Sequence, residues 1–544
     1  EVNIPSTSTA KFFVRACPKW HRPMLSRRSL QLWQSSRSRH FKTCRASPHL
    51  RGLQGKCPWT ALHRRDFDCK AFATQRTGLL NGKFRAEPDW LERAQGILKV
   101  AGGVVIFLGF DSSIRWLIDT SGISMLPSQI CSMLGAFGGL SMAQIIAPSG
   151  TAVVHQALLP AVAWVGRWLP VFLVPVQVML PTINFPGGAA EATGLAVLLG
   201  VGWFSAVALG ARLVMGLTTA TGIAAVNSTS AAAAKPLKIS LLLPFAWLAL
   251  AALVSPVGVI PEQFQTELAK PNDEWARFFR GLTLASVGIG SFALAMRQGL
   301  PGHLCFLSNG AATIAAATAM ATVRGESYAE VVKRDYLVGS SGPPGSGDWL
   351  LWCLGPALVS TGVQMFQYRS RIVNLSSVLF ISCTMVSLGN ILGTVIVGPI
   401  LGISPEVTLA ATMRCVTIPM ALPTYDRLCQ ASGAENNVAL VALCAGLSGF
   451  IGFGFSQRLL TSIICQAPTD PVARGIATGA AAHALGAACL VASEPEAFVW
   501  GMLAMAASGV ASSAWICACP PLRELSVSLA YRNDPRKIQE PTEA

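Results

Sequence analysis

An arginine inside an apolar run is the first place where this chain could do chemistry. Residues 413–426 read MRCVTIPMALPTYD and follow the apolar stretch TLAAT. A continuous helix would hold Arg414 well inside a bilayer at a cost of roughly 2.5–3.5 kcal/mol. Pro419 and Pro423 break such a helix and free backbone groups, and the N–H groups at the start of a half-helix can hold an anion. A guanidinium beside them suits a carboxylate, which it grips with two hydrogen bonds.

Hydroxyl side chains follow this arginine along the same stretch. Thr417 and Thr424 can form hydrogen bonds with the hydroxyl groups of a substrate. The predicted substrate site in this segment therefore consists of Arg414, Thr417, Pro419 and Thr424. The alternative for Arg414 is an interfacial anchor whose long side chain reaches the lipid headgroups.

A histidine among glycines and alanines is the second candidate. His483 lies in GIATGAAAHALGAACLV (475–491), with Gly479 and Gly486 on either side. Small residues allow close backbone approach, and an imidazole with an ordinary pKa near 6.5 can carry a coupling proton or donate to a carboxylate. His483 is therefore predicted to couple protons and, with the two glycines, to bind substrate. The alternative is a packing histidine with satisfied hydrogen bonds.

The composition predicts an all-α, polytopic membrane protein. Hydrophobic residues make up 52% of the 544 residues and charged residues 13%, with a mean hydropathy of +0.48. Soluble domains carry roughly 25% charged residues, so most side chains here face lipid or other helices. About twelve segments are long enough to span a bilayer. Their predicted ranges are 96–118, 124–147, 152–181, 193–225, 238–260, 279–298, 303–323, 349–366, 373–402, 437–463, 474–492 and 497–519.

The second half of the chain shows a recurring pattern of a span followed by an interrupted segment. Segment 373–402 precedes the proline-broken 405–431, and 437–463 precedes the glycine-rich 474–492. Discontinuous helices of this kind often meet at the bilayer midplane and form the binding site of a transporter. We expect two modules, an N-terminal one at 91–225 and a transport module at 237–535, joined by the linker 226–236 and followed by a tail at 536–544.

The positive charge is concentrated at the start of the chain. Residues 1–65 contain about fourteen lysines and arginines against one acid, whereas the whole chain has a formal net charge of +15. A leader over 1–90 that is rich in Arg and Ser and poor in acids has the composition of a transit peptide. The alternative is a basic tail at a membrane surface. Because the charge belongs to this leader, no nucleic-acid partner is predicted.

Other kinds of site are not indicated. The fifteen cysteines form no C-x-x-C pair and no Cys/His cluster at zinc spacing. The sequence has no nucleophile elbow, Walker loop, zinc-protease motif or dinucleotide fingerprint. We therefore predict no metal, no cofactor and no enzymatic activity.

In the first module, Asp111 and Arg115 are four residues apart on one predicted helix and are expected to pair.

Three stretches resemble the LrgB/CidB family of membrane proteins. They are LGPALVSTGVQMF (354–366), GTVIVGPILGISPEVTLAATMRCVTIPMAL (393–422) and ARGIATGAAAHALGAACLVASEPEAF (473–498). The family pattern has Lys at the position of Arg414, and it matches Thr417, Pro419 and His483. It has Thr where this chain has Ile418 and Ala487. The stretch WVGRWLPVFLVPVQVML (164–180) resembles the smaller LrgA/CidA family.

A transit-like leader followed by both modules resembles the plastid branch of this family. The resemblance implies a secondary transporter of small 2-hydroxymonocarboxylates such as glycolate and glycerate, proton-coupled or exchanging, in the inner chloroplast envelope, where it would serve photorespiration. The expected partners are carboxylate substrates and membrane lipid, and a homo-oligomer is compatible with the resemblance. One alternative is a holin-like or scaffold protein that alters membrane permeability. Another is a pyruvate or lactate carrier, which the missing hydroxyls at Ile418 and Ala487 favour.

Overall fold

The architecture is helical throughout the part of the chain that the structure describes. The computed structural model describes residues 89–121, 127–183, 185, 187–221, 242–259, 273–339, 343–462, 469–491 and 493–533. Within these ranges the chain forms helices joined by short loops, and no strand is present. The predicted all-α class is therefore confirmed. The predicted linker, the tail and positions 1–88 of the leader lie outside the described residues.

The first half of the chain consists mainly of long apolar helices. They are α1 (Asp89–Ser121), α2 (Ser128–Ile146), α3 (Pro148–Phe172), α4 (Val174–Met179), α5 (Ala189–Ala220), α6 (Leu242–Val259), α7 (Asp273–Arg297) and α8 (Gly302–Arg324). Pro175 lies in the first turn of α4, where the missing N–H is not needed by the helix. A single residue, Leu173, therefore separates the end of α3 from the start of α4.

The second half alternates long helices with short ones. They are α9 (Tyr328–Val331), α10 (Ser346–Trp352), α11 (Leu354–Met365), α12 (Arg369–Asn374), α13 (Ser376–Ile400), α14 (Pro405–Ala411), α15 (Ile418–Ser432), α16 (Val438–Leu460), α17 (Pro471–Ala487), α18 (Pro495–Ser513) and α19 (Pro520–Ala530). Proline is the first residue of α14, α17, α18 and α19. These prolines fix where each helix begins because their preset φ suits the first turn.

Ten segments of the described chain are long and apolar enough to cross a membrane. They correspond to ten of the predicted spans. The predicted span 238–260 corresponds to α6, whose apolar stretch Leu242–Ser255 is shorter. The predicted interrupted segment 474–492 corresponds to α17, which contains a break described below.

Helices of the two predicted modules pack against each other. In the first half, α1, α2 and α3 pack against α11, and α5 packs against α13, α16 and α17. Buried residues from both halves belong to one hydrophobic cluster. The described residues, from 89 onwards, belong to one compact unit. The module boundary at 226–236 remains a prediction.

A buried carboxylate joins α1 to its neighbours. Asp111 Oδ2 accepts a hydrogen bond from Arg115 Nε at 2.7 Å, and its Oδ1 accepts one from Ser132 Oγ at 2.8 Å. A Cβ on Gly355 would lie 2.6 Å from the carboxylate carbon of Asp111. The glycine of the LGPA stretch is therefore needed for α11 to approach the ion pair. The predicted pairing of Asp111 with Arg115 is present.

A second carboxylate joins α5 to the half-helix α14. Glu191 Oε1 accepts hydrogen bonds from the backbone N–H of Ser404 at 2.8 Å and from its Oγ at 2.5 Å. Ser404 is the residue immediately before α14, so the carboxylate lies at the positive end of that helix dipole. This contact fixes the start of α5 against the start of α14.

Replacing Asp111 by Asn should destabilise the protein. The variant leaves the half-buried Arg115 without its negative partner, at a cost of about 1–3 kcal/mol. We expect a lower thermal unfolding temperature in detergent, measured by loss of tertiary signal. Asp119→Asn, on the exposed face of the same helix, is the control. Identical unfolding temperatures for the two variants would show that the buried pair does not stabilise the fold.

Candidate functional site

Two helix breaks lie in the segments that the sequence marks as interrupted. Helix α14 ends at Ala411 and α15 begins at Ile418, with six residues of turns between them. Helix α17 is broken at Ala482 (φ −139°, ψ 21°) and His483 (φ 44°, ψ −152°). Both predicted interruptions are therefore present.

A side chain of the first break satisfies a backbone carbonyl of the second. In a continuous α17 the carbonyl of Ala481 would accept from the N–H of Leu485, but that N–H donates instead to His483 Nδ1 at 3.4 Å. The carbonyl of Ala481 accepts from Cys415 Sγ at 3.0 Å and from Ser448 Oγ at 3.4 Å. The break in α17 is thus bonded directly to the turns between α14 and α15.

Helix α13 holds the first break in place through one amide. Asn390 Nδ2 donates to the carbonyl of Thr412 at 3.0 Å, and its Oδ1 lies 3.4 Å from Cys415 Sγ, whose one S–H donates to Ala481. The hydroxyl of Thr394, one helical turn further, donates to the carbonyl of Asn390 at 2.6 Å. Its lone pairs therefore remain available to a cation.

Arg414 lies between these groups with no counter-ion. The residue is 2% exposed, and its Nη1 donates to Thr394 Oγ1. Its Nε has no hydrogen-bond partner, and the described residues provide no ion pair for the guanidinium. A buried cation with unused donors and no carboxylate partner favours the binding of an anion.

The guanidinium of Arg414 lies against α5. A Cβ on Gly202 would lie 2.6 Å from Arg414 Cζ and 3.1 Å from its Nε. Any larger residue at this position would collide with the cation. Gly202 therefore allows the helix backbone to approach the guanidinium closely.

A cavity of about 370 Å³ lies between α5 and α13, next to this guanidinium. It is lined by Val197, Leu198, Val201, Gly202, Ser205, Ala206, Leu209, Val386, Gly389, Asn390, Gly393, Val397, Leu401 and Arg414. Arg414 is the one charged residue among them, and Asn390 and Ser205 are the two uncharged polar ones. The lining is otherwise apolar, which is typical of a small-molecule site with few orienting groups.

His483 is held by backbone atoms at both ring nitrogens. Its Nε2 lies 2.9 Å from the carbonyl of Ala445, and its Nδ1 accepts from Leu485 N–H. A Cβ on Gly449 would lie 2.9 Å from His483 Cε1, so that glycine makes room for the ring. The pattern corresponds to a neutral imidazole with its proton on Nε2.

The other three predicted site residues of this segment do not line the cavity. Thr417 immediately precedes α15, and its buried Oγ1 has no partner among the described residues. Pro419 is exposed at the second position of α15. Thr424 Oγ1 bonds to the carbonyl of Met420 and to Ser513 Oγ, each at 2.8 Å. Of the predicted site residues, Arg414 alone contacts the cavity.

The two predicted site glycines make packing contacts. A Cβ on Gly479 would lie 2.6 Å from the carbonyl carbon of Gly501, so this glycine allows α17 and α18 to pack closely. A Cβ on Gly486 would collide with that of Ala482 at the break. Their role in substrate binding remains a prediction.

Three residues next to Arg414 were not identified from the sequence. Asn390 and Thr394 are four apart on α13, and this polar pair on one face of an apolar span is a signal that could have found them. Gly202 lies in VLLGVGWFSAVALGARL, where several glycines look alike. Among the described residues, no group of three or more His, Cys, Asp or Glu is placed to hold a metal ion.

Comparison with known proteins relates this chain to one family. Residues 344–521 match the LrgB-like family. Arg414, Asn390, Thr394 and His483 all lie in this LrgB-like region. The match to an LrgA-like module in the first half remains a prediction.

One curated relative covers most of the chain. The protein described as plastidal glycolate/glycerate translocator 1, chloroplastic, from Arabidopsis thaliana is 28% identical over 410 residues. The alignment covers 73% of this chain and 74% of the relative, so it extends well beyond the LrgB-like region. No solved structure matches the chain.

The unusual backbone at His483 generates a prediction about stability. Its φ of 44° with ψ of −152° is a conformation that residues other than glycine adopt only under strain. Both His483→Ala and His483→Gly lose the ring's hydrogen bonds, but only the alanine keeps the strain. We expect the glycine variant to be more stable by about 1–2 kcal/mol, measured by thermal unfolding in detergent. An alanine variant as stable as the glycine variant would contradict a strained backbone here.

Proposed function

We propose that this chain is a secondary transporter of small 2-hydroxymonocarboxylates, with Arg414 as the carboxylate clamp. The observation that carries the proposal is a buried guanidinium that faces a cavity and has no counter-ion in the described chain. A substrate carboxylate supplies the missing negative charge. No enzymatic activity is part of the proposal.

The charge and size of the cavity favour small monoanions. A single cation at the cavity balances one carboxylate, and no second basic side chain lines the cavity to receive another. Arg414 Nε and the guanidinium edge offer several donors to one planar anion. The polar groups of Asn390 and Ser205 are candidates for contact with a substrate hydroxyl.

Similarity to a named relative supports the glycolate and glycerate assignment. The Arabidopsis protein is described as a plastidal translocator of these two acids, and it aligns over most of both chains. We propose the same substrate class here, in the inner chloroplast envelope and in the service of photorespiration. The basic, acid-poor leader agrees with import into a plastid.

Proton coupling at His483 is part of the proposal. The neutral ring already uses both nitrogens, so a second proton on Nδ1 displaces the N–H of Leu485. That displacement occurs at the break in α17, whose Ala481 carbonyl contacts Cys415 beside the clamp. Protonation and rearrangement of the substrate site are therefore linked through one short stretch of backbone.

Two other functions make different demands on the site. A holin-like or scaffold protein has no need of a buried arginine that the described residues leave without a counter-ion, so the cavity favours the transporter. A pyruvate or lactate carrier also needs a carboxylate clamp, and the largely apolar lining and the lack of hydroxyls at Ile418 and Ala487 suit it. Competition of labelled glycolate uptake by glycerate, lactate and pyruvate separates the two carriers.

Arg414 variants test the clamp in liposomes that contain the purified chain. Arg414→Gln should abolish saturable glycolate uptake because it removes the one charged side chain among the described residues that line the cavity. Arg414→Lys should weaken apparent affinity by roughly 1–2 kcal/mol, or about ten- to thirtyfold, because it loses the two-pronged geometry.

The matched control is Arg458, which is exposed in the last turn of α16. Arg458→Gln and Arg458→Lys should transport glycolate like the wild type. If Arg414→Gln takes up glycolate with unchanged affinity, Arg414 is not the clamp. If the wild-type chain takes up none of the four acids under any proton gradient, the transporter proposal fails.

The pH profile of uptake tests the role of His483. Both His483→Ala and His483→Gly should flatten the dependence of initial uptake rate on pH between about 5.5 and 7.5, the range in which an imidazole titrates. His303, half-exposed at the start of α8, is the control, and His303→Ala should keep the wild-type profile. A wild-type profile in both His483 variants would assign the coupling proton elsewhere.

A further inference from the structure

Half of the residues that line the cavity come from α5, which lies outside the LrgB-like region 344–521. The α5 residues are Val197, Leu198, Val201, Gly202, Ser205, Ala206 and Leu209. The opposite wall consists of residues of α13, together with Leu401, which follows α13, and Arg414. The LrgB-like region by itself therefore contains only one wall of the proposed binding site.

We propose that α5 is an integral part of the substrate site, with Gly202 positioning the Arg414 guanidinium and Ser205 setting which carboxylates fit. This inference rests on the proposed function and assigns substrate selection to the N-terminal half of the chain. The ligand class is small carboxylates, discriminated by the size of the group attached to the carboxyl carbon.

Gly202 and Thr394 hold the guanidinium from two directions. Thr394 accepts a hydrogen bond from Arg414 Nη1, and the α5 backbone at Gly202 closes the other side. A methyl group at position 202 would lie within 3.1 Å of both Cζ and Nε. Arg414 would then have to leave Thr394 or swing into the space that the substrate needs.

The register of α5 along the LrgB-like region is fixed on both sides of Gly202. Towards its start, Glu191 accepts two hydrogen bonds from Ser404, and a Cβ on Gly194 would lie 3.0 Å from the carbonyl oxygen of Leu401. Towards its end, a Cβ on Gly210 would lie 3.1 Å from the Cα of Ala477. Contacts at both ends thus keep Gly202 opposite Arg414.

Small side chains of α5 keep the space beside the clamp open. Ser205 supplies the one hydroxyl among the lining residues, and Ala206 lies next to it. The Ser205 hydroxyl donates to the carbonyl of Val201 at 2.9 Å, so the lone pairs of its oxygen remain available to a substrate hydroxyl. A larger residue at position 205 would therefore exclude the longer acids first.

The first experiment compares two glycines of α5 in the full-length chain. Gly202→Ala should raise the half-saturation concentration for glycolate uptake into liposomes at least tenfold. Gly200→Ala is the matched control, because a Cβ there meets nothing within 4 Å and the residue does not line the cavity. Its uptake should equal that of the wild type. The thermal unfolding temperature and the amount of protein reconstituted into the liposomes are measured for both variants.

The second experiment remains decisive if Gly202→Ala does not fold. Ser205 is exposed, so Ser205→Leu is compatible with folding. It should reduce uptake of glycerate and of the longer 2-hydroxybutyrate at least tenfold more than uptake of glycolate. Phe204→Leu, at the neighbouring exposed position outside the cavity, should keep the wild-type ratio.

The outcomes separate this inference from the proposed function. If the wild type transports none of these acids, the proposed function itself is wrong. If the wild type transports glycolate and Ser205→Leu keeps the wild-type ratio of substrates, Ser205 does not select the substrate and the inference fails, whether or not Gly202→Ala folds. If a folded Gly202→Ala also matches Gly200→Ala, α5 takes no part in binding at all. A shifted substrate ratio in Ser205→Leu supports the inference, because a purely structural role of α5 would lower all rates together.

Discussion

The constraint on which the surrounding structure depends is that no described residue supplies a counter-ion for the Arg414 guanidinium. An ion removed from water costs several kcal/mol even after the protein relaxes, so a buried cation needs directed acceptors or a mobile anion. The structure supplies one acceptor, the hydroxyl of Thr394, and leaves the Nε free beside a cavity. Among the described residues, the buried charge of Arg414 is therefore not balanced by a carboxylate. This is the electrostatic condition that a carboxylate carrier requires.

A second constraint comes from the two helix breaks, which place irregular backbone inside a membrane protein. Lipid offers no hydrogen bonds, so the groups released by a helix break must be satisfied by protein or by a water-filled cavity. The break in α17 frees the carbonyl of Ala481, which Cys415 and Ser448 satisfy, while His483 replaces it as the acceptor for Leu485. The side chain of Cys415 in the first break thus satisfies a carbonyl that the second break frees.

The packing of α5 connects the two halves of the chain. It contacts Arg414 at Gly202 and α14 through Glu191, so a helix of the first half lies beside the candidate site of the second. The Asp111 pair packed against Gly355 provides a separate attachment between the halves, through α1 and α11. A chain that carries both halves thus supplies both walls of the cavity beside Arg414.

The sequence by itself determined the helical class, most of the spans, both helix breaks and the candidate arginine and histidine. These features are local, because apolar length sets a span, proline and glycine interrupt a helix, and a charge in an apolar run stands out. The tertiary structure decided which residues surround Arg414. Thr394, Asn390 and Gly202 are distant from it in the chain, whereas Thr424, only ten positions away, bonds to Ser513 instead. Proximity of that kind depends on how the helices pack, and helical periodicity does not encode it.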